Sequence, residues 1–122
     1  AIYTHMPATS DTIVSATTHP GDSTAETVTG DKFKGDGYYG RSDGLHTVQY
    51  NVSGVAGTIK MQGTLATNPV DADYFDIAGT TYDSTTAGKD GAFAYNFTGN
   101  FVWVRAVINY TDGTISSIML NH

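Results

Sequence analysis

Residues 101–120, FVWVRAVINYTDGTISSIML, decide the fold of this 122-residue chain. Two runs rich in β-branched and aromatic residues flank the dipeptide Asp112-Gly113. Asp-Gly suits a two-residue type I′ hairpin, because both central residues of that turn take φ > 0. The first run is apolar at nearly every position, as in strands that are covered on both faces. The sequence therefore predicts a terminal hairpin whose first strand is central and enclosed on both sides.

Arg105 is the only charged residue in that central run. A buried guanidinium needs compensating partners, and a long side chain can also carry its charge to the surface along an apolar stem. We therefore expect Arg105 to meet a carboxylate or carbonyl groups, or to reach solvent.

Period-two alternation recurs upstream of this stretch. One face of residues 46–52 carries His46, Val48, Tyr50 and Val52, and similar patterns hold Ile59, Met61 and Leu65, and then Phe93, Tyr95 and Phe97. Apolar residues do not recur at the three- and four-residue spacing of a helix. The sequence predicts an all-β fold: an antiparallel β-sandwich, jelly-roll-like, with eight or nine short strands and no substantial helix.

The chain is short enough for one domain, with a distinct amino-terminal segment. Residues 1–25 are polar and Thr-rich, and we expect them to form an extended arm or an edge strand. Within them, residues 12–17 (TIVSAT) are strand-like, and a Pro-Gly turn follows. Such an arm can add a strand to a neighbour's sheet or to its own. Residues 26–122 are expected to form the single β-sandwich domain.

Charge and composition exclude several partner classes. The net charge is −6, which argues against binding to a phosphate backbone, so no nucleic-acid partner is expected. Cysteine is absent, which excludes disulfides and thiolate metal sites. No apolar run has the length of a membrane span or of a signal-peptide core. We expect no membrane partner, and synthesis in the cytoplasm without an export signal.

Three aspartates lie close together in the segment VDADYFDI: Asp71, Asp73 and Asp76. Calcium prefers several oxygen ligands, which makes these carboxylates its candidate ligands. The segment lacks the glycine and the terminal glutamate of the calcium-loop pattern. Acidic residues in a loop that leads into a strand are the alternative interpretation.

Four tyrosines beside Gly or Asp are candidate ligand or interface residues: Tyr38, Tyr39, Tyr74 and Tyr82. An exposed ring can stack on a sugar while neighbouring polar groups bind its hydroxyls. Tyrosine is also enriched at subunit interfaces and at the boundary between core and surface. The sequence leaves these interpretations open.

Residues suited to catalysis are scattered. The histidines do not lie at ligand spacing, and His46 occupies the alternating face of a strand, where a hydrogen-bonded, partly buried structural role is expected. There is no Gly-x-Ser-x-Gly motif, and Glu26 is the only glutamate. The sequence predicts a protein that is not an enzyme and has no cofactor.

Three sequence blocks occur together in a recognisable order. They are GDGYYG at 35–40 with DGLHT at 43–47; GTI at 57–59, QGTLA at 62–66 and YFDI at 74–77; and YNFTGNFVWVRA at 95–106. This order resembles small β-sandwich virion structural proteins of tailed bacteriophages, particularly those that infect marine cyanobacteria. The resemblance covers residues 30–122.

The resemblance implies a virion component without catalytic residues, such as a head decoration, neck, tail or fibre protein. Its expected partners are other virion proteins and copies of itself in a homo-oligomer, and its expected location is the virion. The alternative is a carbohydrate-binding β-sandwich module that recognises a glycan on the host surface.

Overall fold

The computed structural model describes residues 10–22, 24–40 and 44–121, with the backbone alone for residues 85–89. The strands are β1 (Asp11–Val14), β2 (Thr17–Thr18), β3 (Glu26–Thr29), β4 (Phe33–Lys34), β5 (Leu45–Thr64), β6 (Phe75–Asp76), β7 (Tyr82–Thr98) and β8 (Trp103–Asn121). Every strand pairing is antiparallel. One 3₁₀ turn, Asp71–Asp73, is the only helical element in the described ranges. The predicted all-β class is confirmed, although β5, β7 and β8 are longer than expected.

Strands β5 and β8 lie side by side at the centre of the sheet. They pair from Thr47 opposite Asn121 to Thr64 opposite Trp103. β7 and β6 pair with the other edge of β5. β1, β2, β3 and β4 pair in succession along the other edge of β8. The first strand-like run of the sequence is therefore central, as predicted.

The predicted hairpin at Asp112-Gly113 is wrong, because β8 continues through this dipeptide beside β5. Tyr110 lies opposite Gly57 and Ile115 lies opposite Val52, so these two residues of β8 do not face each other. Gly113 has a φ of 104°, the left-handed conformation that Asp-Gly indicated. In β8 this conformation accommodates the irregular register between β5 and β8 and does not form a turn. A positive φ alone does not distinguish a bulge from a hairpin.

The irregular register separates two halves of the sheet that pack against each other. We call residues 45–53 and 114–121 the His46 half, and residues 57–64 and 103–110 the Met61 half. The Tyr50 hydroxyl donates to the carbonyl oxygen of Thr80, 2.7 Å away, and the His46 ring centroid lies 6.2 Å from that of Phe101. Both contacts join the His46 half to a segment that flanks the Met61 half. The bent sheet therefore encloses a sandwich core.

The core is one continuous cluster of inward-facing side chains. It contains Ile13, Val14, Val48, Tyr50, Val52, Val55, Ile59, Met61, Ile77, Tyr82, Phe97, Val104, Ala106, Ile108, Tyr110, Ile115, Ile118 and Leu120. In β5 the buried hydrophobic residues are even-numbered up to Val52 and odd-numbered at Val55, Ile59 and Met61. This change of parity follows from the shift in register between the two halves.

The prediction that the first half of β8 is covered on both faces is wrong for the outer face. Val104 and Ala106 are fully buried, whereas Trp103 and Arg105 are partly exposed. Leu65, placed by alternation on the same face as Met61, lies beyond the end of β5 and is 67% exposed. The outer face of the Met61 half is therefore available for contacts.

The amino-terminal segment joins the sheet of its own chain. Asp11 lies opposite Leu120, and Thr17 lies opposite Ile115. Residues 1–9 of the predicted arm lie outside the described residues. Exchange of the arm between subunits, and the division of the chain after residue 25, stay predictions.

Tyr50 provides a pH-dependent test of the core. Burial raises the pKa of its hydroxyl far above the ordinary value near 10. The unfolded chain loses this proton above about pH 10 and the folded chain keeps it, so the stabilisation is complete below pH 10 and is lost as the pH rises further. In urea denaturation series from pH 8 to pH 11, we expect Tyr50→Phe to reduce the alkaline slope of the unfolding free energy by about 1.4 kcal/mol per pH unit. An unchanged slope would show that Tyr50 is solvated in the folded protein.

Candidate functional site

A cluster of aromatic and basic side chains covers part of the outer surface of the Met61 half. We call it the aromatic face, and its members are Lys32, Lys34, Tyr38, Tyr39, Tyr74, Trp103 and Arg105. Strand alternation directs Trp103 and Arg105 outward, since Val104 and Ala106 point into the core. Two members of the aromatic face therefore lie on a central strand rather than on a loop.

Trp103 lies between a cation and another ring. The Lys32 ammonium lies 4.7 Å from the centroid of the Trp103 ring, and the Tyr38 ring centroid is 5.1 Å away. The indole Nε1–H donates to the carbonyl oxygen of Thr67 at 2.9 Å. These contacts fix the indole while leaving part of it accessible to solvent.

Tyr38 and Tyr39 project from the turn formed by residues 35–40. They are 44% and 50% exposed, and their ring centroids are 5.6 Å apart in an edge-to-face arrangement. The Lys34 ammonium lies 4.6 Å from the Tyr38 ring. Gly37 lets the turn approach the chain closely, because a Cβ there would collide with the backbone of Asn100. The close approach of this turn thus places Tyr38 against Trp103, with Tyr39 next to Tyr38.

His46 fastens this turn to the sandwich from beneath. Its Nε2 accepts a hydrogen bond from the Asp36 amide at 3.2 Å, so Nδ1 carries the proton and donates to the Gly44 carbonyl oxygen at 2.8 Å. The ring is fully buried and stacks on Phe97, with centroids 4.7 Å apart and planes 3° apart. The predicted hydrogen-bonded structural role of His46 is confirmed.

Arg105 and Tyr74 form the other end of the aromatic face. The guanidinium lies 3.8 Å from the Tyr74 ring centroid. Its Nε donates to Oε1 of Gln62 at 3.0 Å, and its Nη1 donates to Oδ1 of Asp71 at 2.9 Å. The prediction that Arg105 finds a carboxylate is confirmed. Burial raises the pKa of the Tyr74 hydroxyl even though the Arg105 charge acts in the opposite direction.

A groove of about 370 Å³ connects Lys32 with Arg105 and Tyr74. Its walls also include residues 29–31, Pro69 and Asp71. Cationic, aromatic and carboxylate groups thus line one concave surface beside Trp103. The groove can accept a protruding side chain or a sugar ring, because it offers both apolar contact and hydrogen-bonding groups.

Tyr82 does not belong to this surface, which corrects its prediction as an exposed ligand or interface residue. It is only 1% exposed, and its hydroxyl donates to the Val55 carbonyl oxygen at 3.1 Å. Tyr82 is the first residue of β7 and faces the core, where its ring packs against Phe93 at 5.1 Å. Its neighbours Thr81 and Asp83 are exposed, which accounts for the loop-like sequence.

The three candidate calcium ligands face different partners. Asp71 pairs with Arg105, and Oδ2 of Asp73 accepts the Val70 amide at 2.9 Å. Asp76 accepts hydrogen bonds from Gln62 and Lys60, which lower the pKa of its carboxyl group. Among the residues that the structure describes, no group of three or more acidic or histidine side chains can hold a metal ion. The structure therefore does not bring Asp71, Asp73 and Asp76 together, and calcium binding by them stays a prediction.

The sequence pattern indicates Tyr38, Tyr39 and Tyr74 as candidate site residues, but it does not indicate Trp103 and Arg105, which lie between them. Trp103 and Arg105 were assigned to a strand enclosed on both faces, which hid their outward direction. Trp103 and Arg105 are two residues apart, and alternate residues of a strand share a face. This spacing could have placed both side chains on one face. The lysines over the rings gave no signal, because their position depends on β4 pairing with β8.

Known proteins are similar to this chain in fold. No protein-family model and no curated protein matches the chain. Among solved structures, the SPBc2 prophage-derived protein YomS is similar with a TM-score of 0.62 and 14% identity, over 98% of this chain and 96% of that protein. The C-terminal CBM6 of LamC, a marine laminarinase from Zobellia galactanivorans, gives 0.52 and 12%, over 93% of this chain and 100% of the module.

The described part of the chain contains no helix that is long and apolar enough to cross a membrane. At the identities found, the two structural likenesses establish the architecture alone. The chain has an antiparallel β-sandwich fold that is shared along nearly its whole length with a prophage-derived protein and with a carbohydrate-binding module.

Proposed function

We propose that this chain is a non-enzymatic virion structural protein of a tailed phage that acts through protein–protein contacts at its aromatic face. The observation that carries the proposal is the group formed by the exposed Tyr38 and Tyr39 and the partly exposed Trp103, with Arg105 on the same strand face. Tryptophan, tyrosine and arginine are the residues that most often dominate binding energy at protein interfaces. Their placement on a central strand and a buttressed turn keeps the cost of ordering low on binding.

The assignment to a phage particle is supported by two independent likenesses. The fold matches a prophage-derived protein over nearly the full length of both chains. The motif order of residues 35–106 resembles β-sandwich virion proteins of tailed phages. The location within the virion, as a head decoration, neck, tail or fibre component, is part of the proposal, as is self-assembly into a homo-oligomer.

Contacts at Tyr74 favour a protein partner over a stacked sugar. The guanidinium of Arg105 already covers this ring and is held by Gln62 and Asp71. A sugar that stacks on the same ring face would have to displace the guanidinium and break both hydrogen bonds. A protein partner can instead contact the ring edge and the guanidinium together.

A second candidate function is recognition of a host surface glycan by the same β-sandwich. It is favoured by the exposed rings of Tyr38 and Tyr39, which project from the turn formed by residues 35–40. The LamC module shows that this architecture occurs in a carbohydrate-binding module. On a glycan array this function gives saturable binding that Tyr39→Ala abolishes.

Incorporation into particles tests the first function. In a phage that encodes the chain, we expect Tyr39→Ala to lower the amount of protein in purified particles at least tenfold, because truncation of an interface hot spot costs about 2 kcal/mol. Mass spectrometry of gradient-purified particles measures the amount. Leu45→Ala is the matched control, since Leu45 is 55% exposed and lies in the His46 half.

Leu45→Ala is expected to enter particles at the wild-type level. Absence of the wild-type protein from purified particles would overturn the virion assignment. Equal incorporation of both variants would remove the aromatic face as the contact surface. Saturable glycan binding that depends on Tyr39, without incorporation into particles, would establish the second function in place of the first.

A further inference from the structure

β7 ends the sheet with a long edge that has no partner strand among the described residues. Residues 90–98 pair continuously with β5 on one side. No pairing on the other side is found in the described part of the chain. Nine extended residues present an edge about 30 Å long, with alternate backbone N–H and C=O groups pointing away from β5.

The opposite edge of the sheet is protected in ways that β7 is not. It consists of four strands of two or four residues, and Pro20 and Lys32 lie in the gaps between them. Short strands, prolines and lysines are the usual means of preventing edge-to-edge pairing. Residues 91–98, GAFAYNFT, contain neither a proline nor a charge. An edge without protection indicates a place where another strand is accommodated.

Two aromatic rings lie half-buried along this edge. Phe93 and Tyr95 face the inner side of the sheet, where their ring centroids lie 5.1 Å from Tyr82 and 5.5 Å from Tyr50. Phe97, next on the same side, is buried. The core thus covers only one side of Phe93 and Tyr95, and a strand added to β7 would cover the other side.

We propose that β7 pairs antiparallel with β7 of a second copy of this chain, around a two-fold axis that passes through Ala94. This register places Phe93 opposite the second copy's Tyr95, and the two-fold axis repeats the pair. Aromatic residues directly opposite one another are favourable cross-strand neighbours. Asp90 lies opposite Thr98, and Ala92 lies opposite Asn96, so no position is matched with a like charge.

Charge distribution supports a second copy as the occupant of this edge. Each chain has a net charge of −6, so repulsion between two copies is smallest at a surface with few carboxylates. Asp90 is the only charged residue between 90 and 98, and its Oδ1 already accepts the Gly54 amide at 2.8 Å. In a closed two-fold contact each copy contributes the same segment. Phe93 of either copy can therefore meet Tyr95 of the other.

The dimer deepens the proposed function, since it names a copy of the chain as one partner of a protein that acts through protein contacts. It uses a different surface from the aromatic face, on the opposite side of β5 from β8. A failure of one proposal can therefore be distinguished from a failure of the other.

Site-directed cross-linking tests the register, and the absence of native cysteine makes it specific. Residues directly opposite in an antiparallel pair have Cα atoms about 4.5–5.5 Å apart, within the range that a disulfide spans. We expect Ala94→Cys to form an intermolecular disulfide in most chains under mild oxidation. In the Ala92→Cys variant the two introduced residues lie about 13 Å apart, so it is expected to stay monomeric on a non-reducing gel.

Sedimentation velocity supplies the second measurement. The wild-type protein is expected to sediment as a dimer at about 50 µM, and Ala94→Lys as a monomer, because it places two like charges at the axis. Thr27→Lys is the matched control, since it introduces the same charge at an exposed position on β3, which pairs with β8 on the opposite side of the sheet. A folded Ala94→Lys protein shows an unchanged far-UV circular dichroism spectrum.

Several outcomes would overturn the dimer. These are a monomeric wild-type protein, dimers of both lysine variants, and equal cross-linking of the two cysteine variants. If any of them occurs while Tyr39→Ala still loses incorporation into particles, the dimer is wrong and the proposed function stands. If the dimer forms and the protein is absent from particles, the virion assignment fails and the β7 interface stands.

Discussion

Gly113→Ala is expected to lower the free energy of unfolding by about 3 kcal/mol, the sum of left-handed backbone strain and a steric collision. Gly113 has a φ of 104°, which L-residues with a side chain rarely adopt. A Cβ at this position would also collide with the backbone of Gly54 and Val55. Because backbone atoms of the neighbouring strand cannot rotate away, β5 and β8 would have to separate at the irregular part of their register. Urea denaturation followed by tryptophan fluorescence measures the loss.

Gly79→Ala separates the two contributions. Gly79 also has a positive φ, 78°, but a Cβ there would meet no atom within 4 Å. We expect this control to lower the unfolding free energy by only about 1 kcal/mol, from backbone strain alone. If Gly113→Ala costs no more than Gly79→Ala, then β5 does not lie against β8 at Gly113.

His46→Ala is expected to lower the free energy of unfolding by about 3 kcal/mol, from a cavity and two lost hydrogen bonds. The imidazole fills a fully buried position against Phe97 and binds the Asp36 amide and the Gly44 carbonyl. The substitution also releases the turn that carries Tyr38 and Tyr39. Denaturation measures the stability, and amide hydrogen exchange at Asp36 measures the release of the turn.

His46→Phe distinguishes ring packing from hydrogen bonding at this position. It retains a ring to stack on Phe97, so we expect a smaller loss of stability, about 2 kcal/mol, from the missing polar contacts. Exchange at the Asp36 amide should accelerate in both variants, because neither side chain can accept its hydrogen bond. Unchanged protection at Asp36 in both variants would contradict the role of His46 as the anchor of the turn.

The sequence predicted strand faces well wherever a strand packs against the core. His46, Val48, Tyr50 and Val52 all point inward, since the period-two pattern reports burial directly. It failed at Asp112-Gly113, where local turn chemistry favours positive φ in bulges and hairpins alike. Only the partner strand decides between them, and here the partner is β5, more than 50 residues upstream in the chain.

Part of the candidate site could likewise be predicted from local sequence, and the rest depends on pairing between distant strands. The glycines around Tyr38 and Tyr39 predicted an exposed turn, and both rings are exposed. Tyr82 has similar neighbours and is buried, because its side chain points inward at the start of β7. The contacts of Arg105 with Gln62 and Asp71 depend on pairing across the sheet, which no local pattern specifies.

Pairing of β5 with β8 on both sides of Gly113 underlies both the sandwich and the aromatic face. Nuclear Overhauser effects between backbone protons of the labelled protein test this pairing most directly. We expect cross-strand effects between Tyr110 and Gly57 and between Ile115 and Val52, as their register requires. Effects that instead connect Tyr110 with Ile115 across a turn at Asp112-Gly113 would contradict it.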